Sequence, residues 1–183
     1  MSGHSKWAQI KHRKEATDAK KGKIFSKLSR AITIAAKSPP AGGGSDPKTN
    51  HKLSGTIEEA RKANMPSDNI ERAIAKASAK DGAELKEVLY EVYGPGGSAI
   101  IISAVTDNSN RTTNEIKHLL SEHGAKLGGH GSAMWAFNKA GKEFNAKFPA
   151  TLSGDDTKKF ETLLSALDDQ EDVQDVYSNA ETP

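Results

Sequence analysis

Gly94, Gly96 and Ala99 stand at the G-x-G-x-x-A spacing with which a tight turn admits the pyrophosphate of a dinucleotide. That chemistry needs the turn to open a helix, whose N-terminal amides hold the anion. The residues that follow here are Ile100, Ile101 and Ile102, a β-branched run that belongs in a strand, so the reading fails. Gly42, Gly43 and Gly44 have the backbone freedom of a phosphate cradle, but no Lys-Ser or Lys-Thr follows as in a P-loop, and the stretch reads as an interhelical loop. His118 and His123, two of six histidines, are spaced to fall about 140° apart on a helix, and no H-E-x-x-H occurs. With no cysteine and no G-x-S-x-G, the chain offers no positioned nucleophile. The acidic pairs Asp155/Asp156 and Asp168/Asp169 read as solvated helix ends. The expectation is a protein that is not an enzyme, with no cofactor, no metal and no small-molecule substrate.

The chemistry that survives is electrostatic. Lys6, Lys11, His12, Arg13, Lys14, Lys20, Lys21, Lys23, Lys27, Arg30 and Lys37 crowd the first 37 residues, opposed only by Glu15 and Asp18. Cations set along a phosphate chain release its condensed counterions, which gives affinity that falls steeply with salt. Trp7 adds a ring able to stack on an unpaired base. A second candidate is Asn110 and Arg111, with Asn108, in Thr-Asp-Asn-Ser-Asn-Arg-Thr ahead of a helix, where helix amides and a guanidinium would suit a phosphate. Capping of that helix by Asn110 or a neighbour is the competing account.

Charge is divided between the halves. Residues 1–80 carry 17 Lys/Arg against 7 Asp/Glu, and residues 81–183 carry 9 against 17, although the whole chain nets only +2. Such asymmetry points the basic half at nucleic acid or an anionic surface. No window has the roughly 18 apolar residues of a membrane span. The start MSGHSKWAQIKHRK lacks an apolar h-region and is not read as a secretory signal; basic and acid-poor until Glu15, it also suits an organelle transit peptide, and the expectation is the cytoplasm. With 35% hydrophobic residues in 183, one ordinary domain or two small ones are expected.

The elements that must carry these residues follow from periodicity. From Lys14 to Lys37, Ile24, Phe25, Leu28, Ala31, Ile32 and Ala35 fall in an arc of about 120°, and Lys23, Lys27, Arg30 and Lys37 in a separate arc of about 80°. Ser38 to Pro47 breaks this helix. Helices are predicted over 50–63 and 67–79, the latter opened by Pro66 and Ser67 with Asp68 and Glu71 spaced like a capping box. Beyond a polar linker the period becomes two: strands at 88–93 and 98–106 around Gly94-Pro-Gly-Gly97, a helix over 110–123, strands at 132–138 and 143–152, a helix over 155–169 and a last strand at 173–177. The predicted fold is α+β: an N-terminal three-helix domain, residues 1–79, followed by a ferredoxin-like antiparallel α/β sandwich, residues 80–183, with two helices on one face.

At these residues the chain resembles the YebC/PmpR family, which includes the mitochondrial translational activator of cytochrome c oxidase. The resemblance is carried by residues 3–32 (GHSKWAQIKHRKEATDAKKGKIFSKLSRAI), 42–47 (GGGSDP), 60–74 (ARKANMPSDNIERAI), 90–112 (YEVYGPGGSAIIISAVTDNSNRT), 124–137 (GAKLGGHGSAMWAF) and the closing strand at 171–179. It implies a third small domain inserted near 138–143, where this chain passes from Phe137 through Asn-Lys-Ala-Gly-Lys to Glu143 and has none. Ser54 and Ser109 stand where relatives often carry a basic residue, and His51 where they often have Pro. It further implies a regulator of gene expression with nucleic acid as partner, either ribosomal RNA on the ribosome in a translation role or DNA in a transcription role. A flexible basic tail bearing Trp7, and the lack of a polar recognition helix, favour the ribosome; a monomer is expected. The competing function is a protein-interaction adaptor acting through the acidic α+β domain.

Overall fold

A computed structural model describes residues 18–37, 44–79, 84–141 and 143–181. The chain forms two compact units, Ala16–Glu87 with Val105–Asp107, and Val88–Ala104 with Asn108–Pro183.

The first unit is built on three helices, α1 (Asp18–Lys37), α2 (His51–Lys62) and α3 (Ser67–Ser78). Its core holds Ile32, Ala35, Leu53, Ile57, Ala60, Met65, Ile70 and Ala73. The alanines let the helix backbones approach, and the Thr33 hydroxyl donates to the Ala73 carbonyl of α3 at 2.9 Å. Buried Asn50 ties the unit together. Its Oδ1 accepts from Leu53 N at 3.0 Å, capping α2, while its Nδ2 donates to the carbonyls of Ala35 and Gly44, each at 2.8 Å. Helix α2 ends where Asn64 takes φ 59° and Met65 N reaches back to Ala60 O at 2.9 Å. Two expectations need correcting. Helix α3 opens from Pro66 with no side-chain cap, so Asp68 and Glu71 form no capping box. The apolar arc of α1 is exposed or half-buried at Ile24, Phe25 and Leu28, whereas every residue from Ile32 to Ala36 is buried. Buried Ile34 falls in the arc of the cations, so their stripe is interrupted between Arg30 and Lys37.

The second unit centres on a four-stranded sheet in the order β3-β1-β2-β7, made of β1 (Lys86–Tyr93), β2 (Ala99–Thr106), β3 (Lys126–Leu127) and β7 (Val173–Ser178). Strands β1 and β2 are joined by the turn Gly94–Ser98, closed by Gly94 N donating to Ser98 O at 2.7 Å. Gly96 is required there, because its φ is +64° and an added Cβ would come within 2.7 Å of Leu152 Cδ2. The run Ile100-Ile101-Ile102 is explained by burial on both faces. Ile100 and Ile102 pack with α4 (Ser109–Glu122) and α5 (Gly154–Asp169) through Ile116, Leu120, Phe160, Leu163, Leu164 and Leu167. Ala99 and Ile101 meet Ala133, Ala136, Phe137, Phe144 and Tyr177 on the other face.

That other face is where the strand assignments change. The predicted strands 132–138 and 143–152 do not enter the main sheet. A 3₁₀ turn (Met134–Ala136) leads into β4 (Phe137–Ala140), which pairs with β5 (Glu143–Ala146) in a separate ladder. Pro149 cannot donate and ends the run, and β6 (Ala150–Thr151) pairs in parallel with β8 (Ala180–Glu181) instead. The edge place in the main sheet goes to β3, two residues long and below the reach of periodicity. The class is α+β as expected: three helices ahead of an antiparallel, ferredoxin-like α/β sandwich with both helices on one face.

Candidate nucleic-acid interface

Helix α1 carries Lys20, Lys23, Lys27, Arg30 and Lys37. Lys23, Lys27 and Arg30 recur at i, i+4 and i+7 and therefore share one side of the helix. Lys23 and Lys37 are exposed, and Lys20, Lys27 and Arg30 half-buried. Lys21, at an apolar position of the helical arc, is exposed too. The side is aimed by what lies opposite, Ile32 and Ala35 in the three-helix core. Lys6, Trp7, Lys11, His12, Arg13 and Lys14 lie outside the described residues.

The second candidate is rearranged by its neighbours. Asn108, not Asn110, caps α4, its Oδ1 accepting from Arg111 N at 3.1 Å, and Asn110 is exposed on the first turn. Arg111 Nη2 donates to Asp172 Oδ2 at 2.9 Å, and the Thr112 hydroxyl donates to the same oxygen at 2.6 Å. Gln170 completes the cluster, its Oε1 accepting from the amides of Asp172 and Val173 at 2.7 and 2.9 Å. The buried carboxylate of Asp172 thus engages the Arg111 guanidinium from within the chain. Arg111→Ala is expected to cost about 1–2 kcal/mol of stability, between an exposed and a buried pair, because Asp172 is buried while the guanidinium is partly in water. Chemical denaturation and nucleic-acid titration on one preparation check this. Affinity should stay unchanged, and a tenfold loss of affinity at constant stability would return Arg111 to phosphate binding.

Periodicity missed a set of residues in the second unit. Glu91 points to the face of β1 away from the helices and is only 6% exposed. Its Oε1 accepts from Gly131 N at 2.7 Å and its Oε2 from the amides of Ala133 and Met134, each at 2.8 Å, while its backbone carbonyl accepts from Gly128 N at 2.8 Å. Burial pushes this carboxyl up, but the amides of Ala133, Gly131 and Met134, with His130 alongside, outweigh it and hold the pKa below 4.5. One residue, through its carboxylate and its carbonyl, therefore pins the loop 128–134 that leads into Trp135. Phe148 is placed by Asn179, which donates from Nδ2 to the Phe148 carbonyl at 2.7 Å and accepts at Oδ1 from Ala99 N at 2.8 Å. The signal was a carboxylate between Tyr90 and Val92 in an apolar strand, with Gly-Gly-His-Gly-Ser ahead of a tryptophan.

Among the described residues no group of three or more His, Asp or Glu is arranged to hold a metal, and no helix is long and apolar enough to cross a membrane.

Known proteins share both parts of this layout. The TACO1/YebC protein N-terminal domain matches residues 5–80, and the TACO1/YebC second and third domain matches residues 85–142. A probable transcriptional regulatory protein of Thermoanaerobacter pseudethanolicus is 40% identical over 243 aligned positions, taking in 99% of this chain and 97% of that relative. The alignment is longer than the 183-residue chain, so the relative has residues without a counterpart here. A probable transcriptional regulatory protein of Dictyoglomus turgidum is 54% identical over 142 residues, covering 77% of this chain and 55% of its own. The crystal structure of a conserved hypothetical protein from Aquifex aeolicus superposes with a TM-score of 0.85 at 33% identity, covering 98% of each chain. Helical unit and sheet unit both find their counterparts in one set of relatives, and the chain belongs to the TACO1/YebC family.

Proposed function

We propose that this protein is a non-catalytic, nucleic-acid-binding regulator of gene expression, in which residues 1–79 grip the nucleic acid and residues 80–183 form the second functional domain. The carrying observation is the cationic side of α1, Lys23, Lys27 and Arg30, continuing the basic sequence that begins at Lys6. Lys6, Trp7, Lys11, His12, Arg13, Lys14, Lys20 and Lys37 belong to the same basic segment of the sequence in this reading, and Asn110 is a separate candidate on the first turn of α4. Relatives named as transcriptional regulators support the regulatory role.

Ribosomal RNA is the favoured target, in a translation role. A duplex reader leads with the N-terminal residues of a helix in the major groove. Helix α3, which follows α2 after a short turn, exposes Asp68 and Glu71 in its opening turns, and Arg72 there is turned back onto Asn69 and the Asp68 carbonyl. Carboxylates at that end repel a phosphate-lined groove. Transcriptional control through DNA is the second reading, favoured by the relatives' names. The β4–β5 ladder pairs Ala140 with Glu143, so only residues 141 and 142 join the strands where the family resemblance implies an inserted domain. In this reading the protein acts without that domain and relies more on its arm.

Sedimentation of lysate at low and high salt tests the proposal. Co-migration with ribosomes that is lost on salt washing is expected. Protein that stays at the top of the gradient and shifts duplex DNA with a sequence preference would replace the ribosomal reading by the transcriptional one. A partner retained by the second unit at high salt would favour a protein-interaction adaptor.

A further inference from the structure

Of the five large hydrophobic side chains left exposed among the described residues, three are aromatic and all three stand in the second unit: Tyr93 at 52%, Trp135 at 59% and Phe148 at 48%. They are linked. The Trp135 and Phe148 rings are 5.9 Å apart, tilted by 33°. Trp135 Nε1 donates to the Ser132 carbonyl at 2.9 Å. An added Cβ on Gly128 would collide with the Ser132 hydroxyl and come within 3.0 Å of Tyr93 Cε2, so Gly128 closes the gap between Tyr93 and the loop.

Cations rim this ledge. Lys147 Nζ lies 5.0 Å from the centroid of Phe148. Lys126 is the cross-strand partner of Tyr93, which sets both side chains on one face, and His130 is almost wholly exposed on the pinned loop. The concentration is local: residues 124–149 carry four lysines against one glutamate, inside a half with 9 Lys/Arg against 17 Asp/Glu.

We infer that Tyr93, Trp135 and Phe148 form a stacking ledge for the unpaired bases of single-stranded RNA, with Lys126 and Lys147 placed for its phosphates. Three observations select this occupant. The charge at the ledge is opposite in sign to that of the surrounding half and complements a phosphate chain. The indole N–H is already used inside the protein, which leaves the ring its faces and suits stacking over hydrogen-bond readout. The backbone beneath is held by Glu91 and Asn179, which lowers the cost of ordering the chain on binding. Unpaired bases splayed for stacking are chiefly a property of RNA loops and ends. The ledge is a site additional to the cationic arm and does not depend on it.

The test uses the full chain carrying Trp7→Phe, which leaves Trp135 the only tryptophan of two. Titration with a short oligouridine is expected to quench Trp135 emission to saturation, and duplex RNA of equal length is not. Trp135→Ala with Phe148→Ala should weaken oligouridine binding on the order of tenfold to a hundredfold. Duplex affinity and the melting temperature should hold, since both side chains are exposed. Trp135→Phe should keep most of the affinity. Quenching should persist when Lys23, Lys27 and Arg30 are replaced by Glu; its loss there would make the ledge a bystander of arm binding and overturn the inference. An unchanged affinity of that arm variant for every nucleic acid would instead count against the arm alone. The ledge is also overturned if the double alanine variant binds oligouridine like the parent, or if oligodeoxythymidine quenches more strongly than oligouridine. A blue shift of Trp135 that grows with protein concentration before RNA is added would assign the ledge to a second copy of the chain.

Discussion

Replacing Lys23, Lys27 and Arg30 together by glutamate is expected to weaken nucleic-acid binding on the order of a hundredfold to a thousandfold near 0.1 M salt. Each of the three cations that reaches a phosphate releases a condensed counterion, and reversal adds repulsion to that loss. The salt dependence provides the sharper measurement. The slope of log affinity on log salt should shrink by about 2 for a single strand and nearer 3 for duplex DNA if all three residues make phosphate contacts. The fold should survive, because the residues that join α1 to α2 and α3 are Ile32, Ala35 and the Thr33 hydroxyl, a different set. Circular dichroism and a melting curve establish this on the same sample. Neutral substitution by Gln is a needed companion, since Lys27 and Arg30 are half-buried and their aliphatic stems pack. The Gln variant should retain the stability and lose the salt slope. Affinity and slope both unchanged would place the interface elsewhere.

What could be read from the sequence divides by distance along the chain. Helix α5 announced itself because Phe160, Leu163, Leu164 and Leu167 share a face within eight residues, and all four are buried. The β2 strand was as plain, since three consecutive isoleucines have few other uses. Asn50 was passed over. A single side chain capping α2 while donating to Ala35 and Gly44 leaves no periodic trace. Ile34 escapes the pattern for a related reason: an arc drawn on a helical wheel assumes one buried side, and the turn Ile32–Ala36 of α1 is buried all round. The strands predicted at 132–138 and 143–152 are strands in part, Phe137–Ala140 and Glu143–Ala146, but pair outside the main sheet, because alternation reports a half-buried strand without saying which sheet it serves.

The candidate sites show the same limit more strongly. Arg111 looked available because the residue that occupies it, Asp172, lies 61 positions further on. Glu91 and the amides it holds are 40 to 43 positions apart. A polar residue in an apolar strand signals that some partner exists, but pairing is a tertiary fact. The proposed cationic arm can be put forward from sequence because the chemistry asked of it is cumulative: charge density acts on a polyanion whatever the exact rotamers. The aromatic ledge was not, because its value depends on three rings from separate segments standing together.

Removing the carboxylate of Glu91 is the second large effect expected. In Glu91→Ala the amides of Gly131, Ala133 and Met134 lose their acceptor, at about 1–3 kcal/mol for each group left buried and unsatisfied, Ala133 being the one fully buried. Partial rearrangement of the loop lets some of them reach solvent, so a total of about 3–5 kcal/mol is expected, in the range where single substitutions are diagnostic. Glu91→Gln separates shape from charge. Its carbonyl oxygen can keep the place of Oε2 and the bonds to Ala133 and Met134, while its amide nitrogen faces the Gly131 N–H, one donor against another. A loss of about 1–2 kcal/mol follows. The pH dependence carries the sign. The folded pKa lies below 4.5, so between that folded value and 4.5 the unfolded chain binds more protons and stability rises with pH. The contribution of Glu91 is fully present above 4.5 and is lost as pH falls through the folded value. Denaturant unfolding between neutral pH and acid should therefore show the parent losing stability below 4.5 more steeply than Glu91→Gln, with the two curves converging as the carboxyl protonates. Curves that stay parallel would mean that the Glu91 charge does not hold the loop. Because that loop carries His130 and leads into Trp135, the same variants should also broaden the Trp135 emission in a chain carrying Trp7→Phe. Anchoring of the ledge and acid stability would then be two readings of one carboxylate.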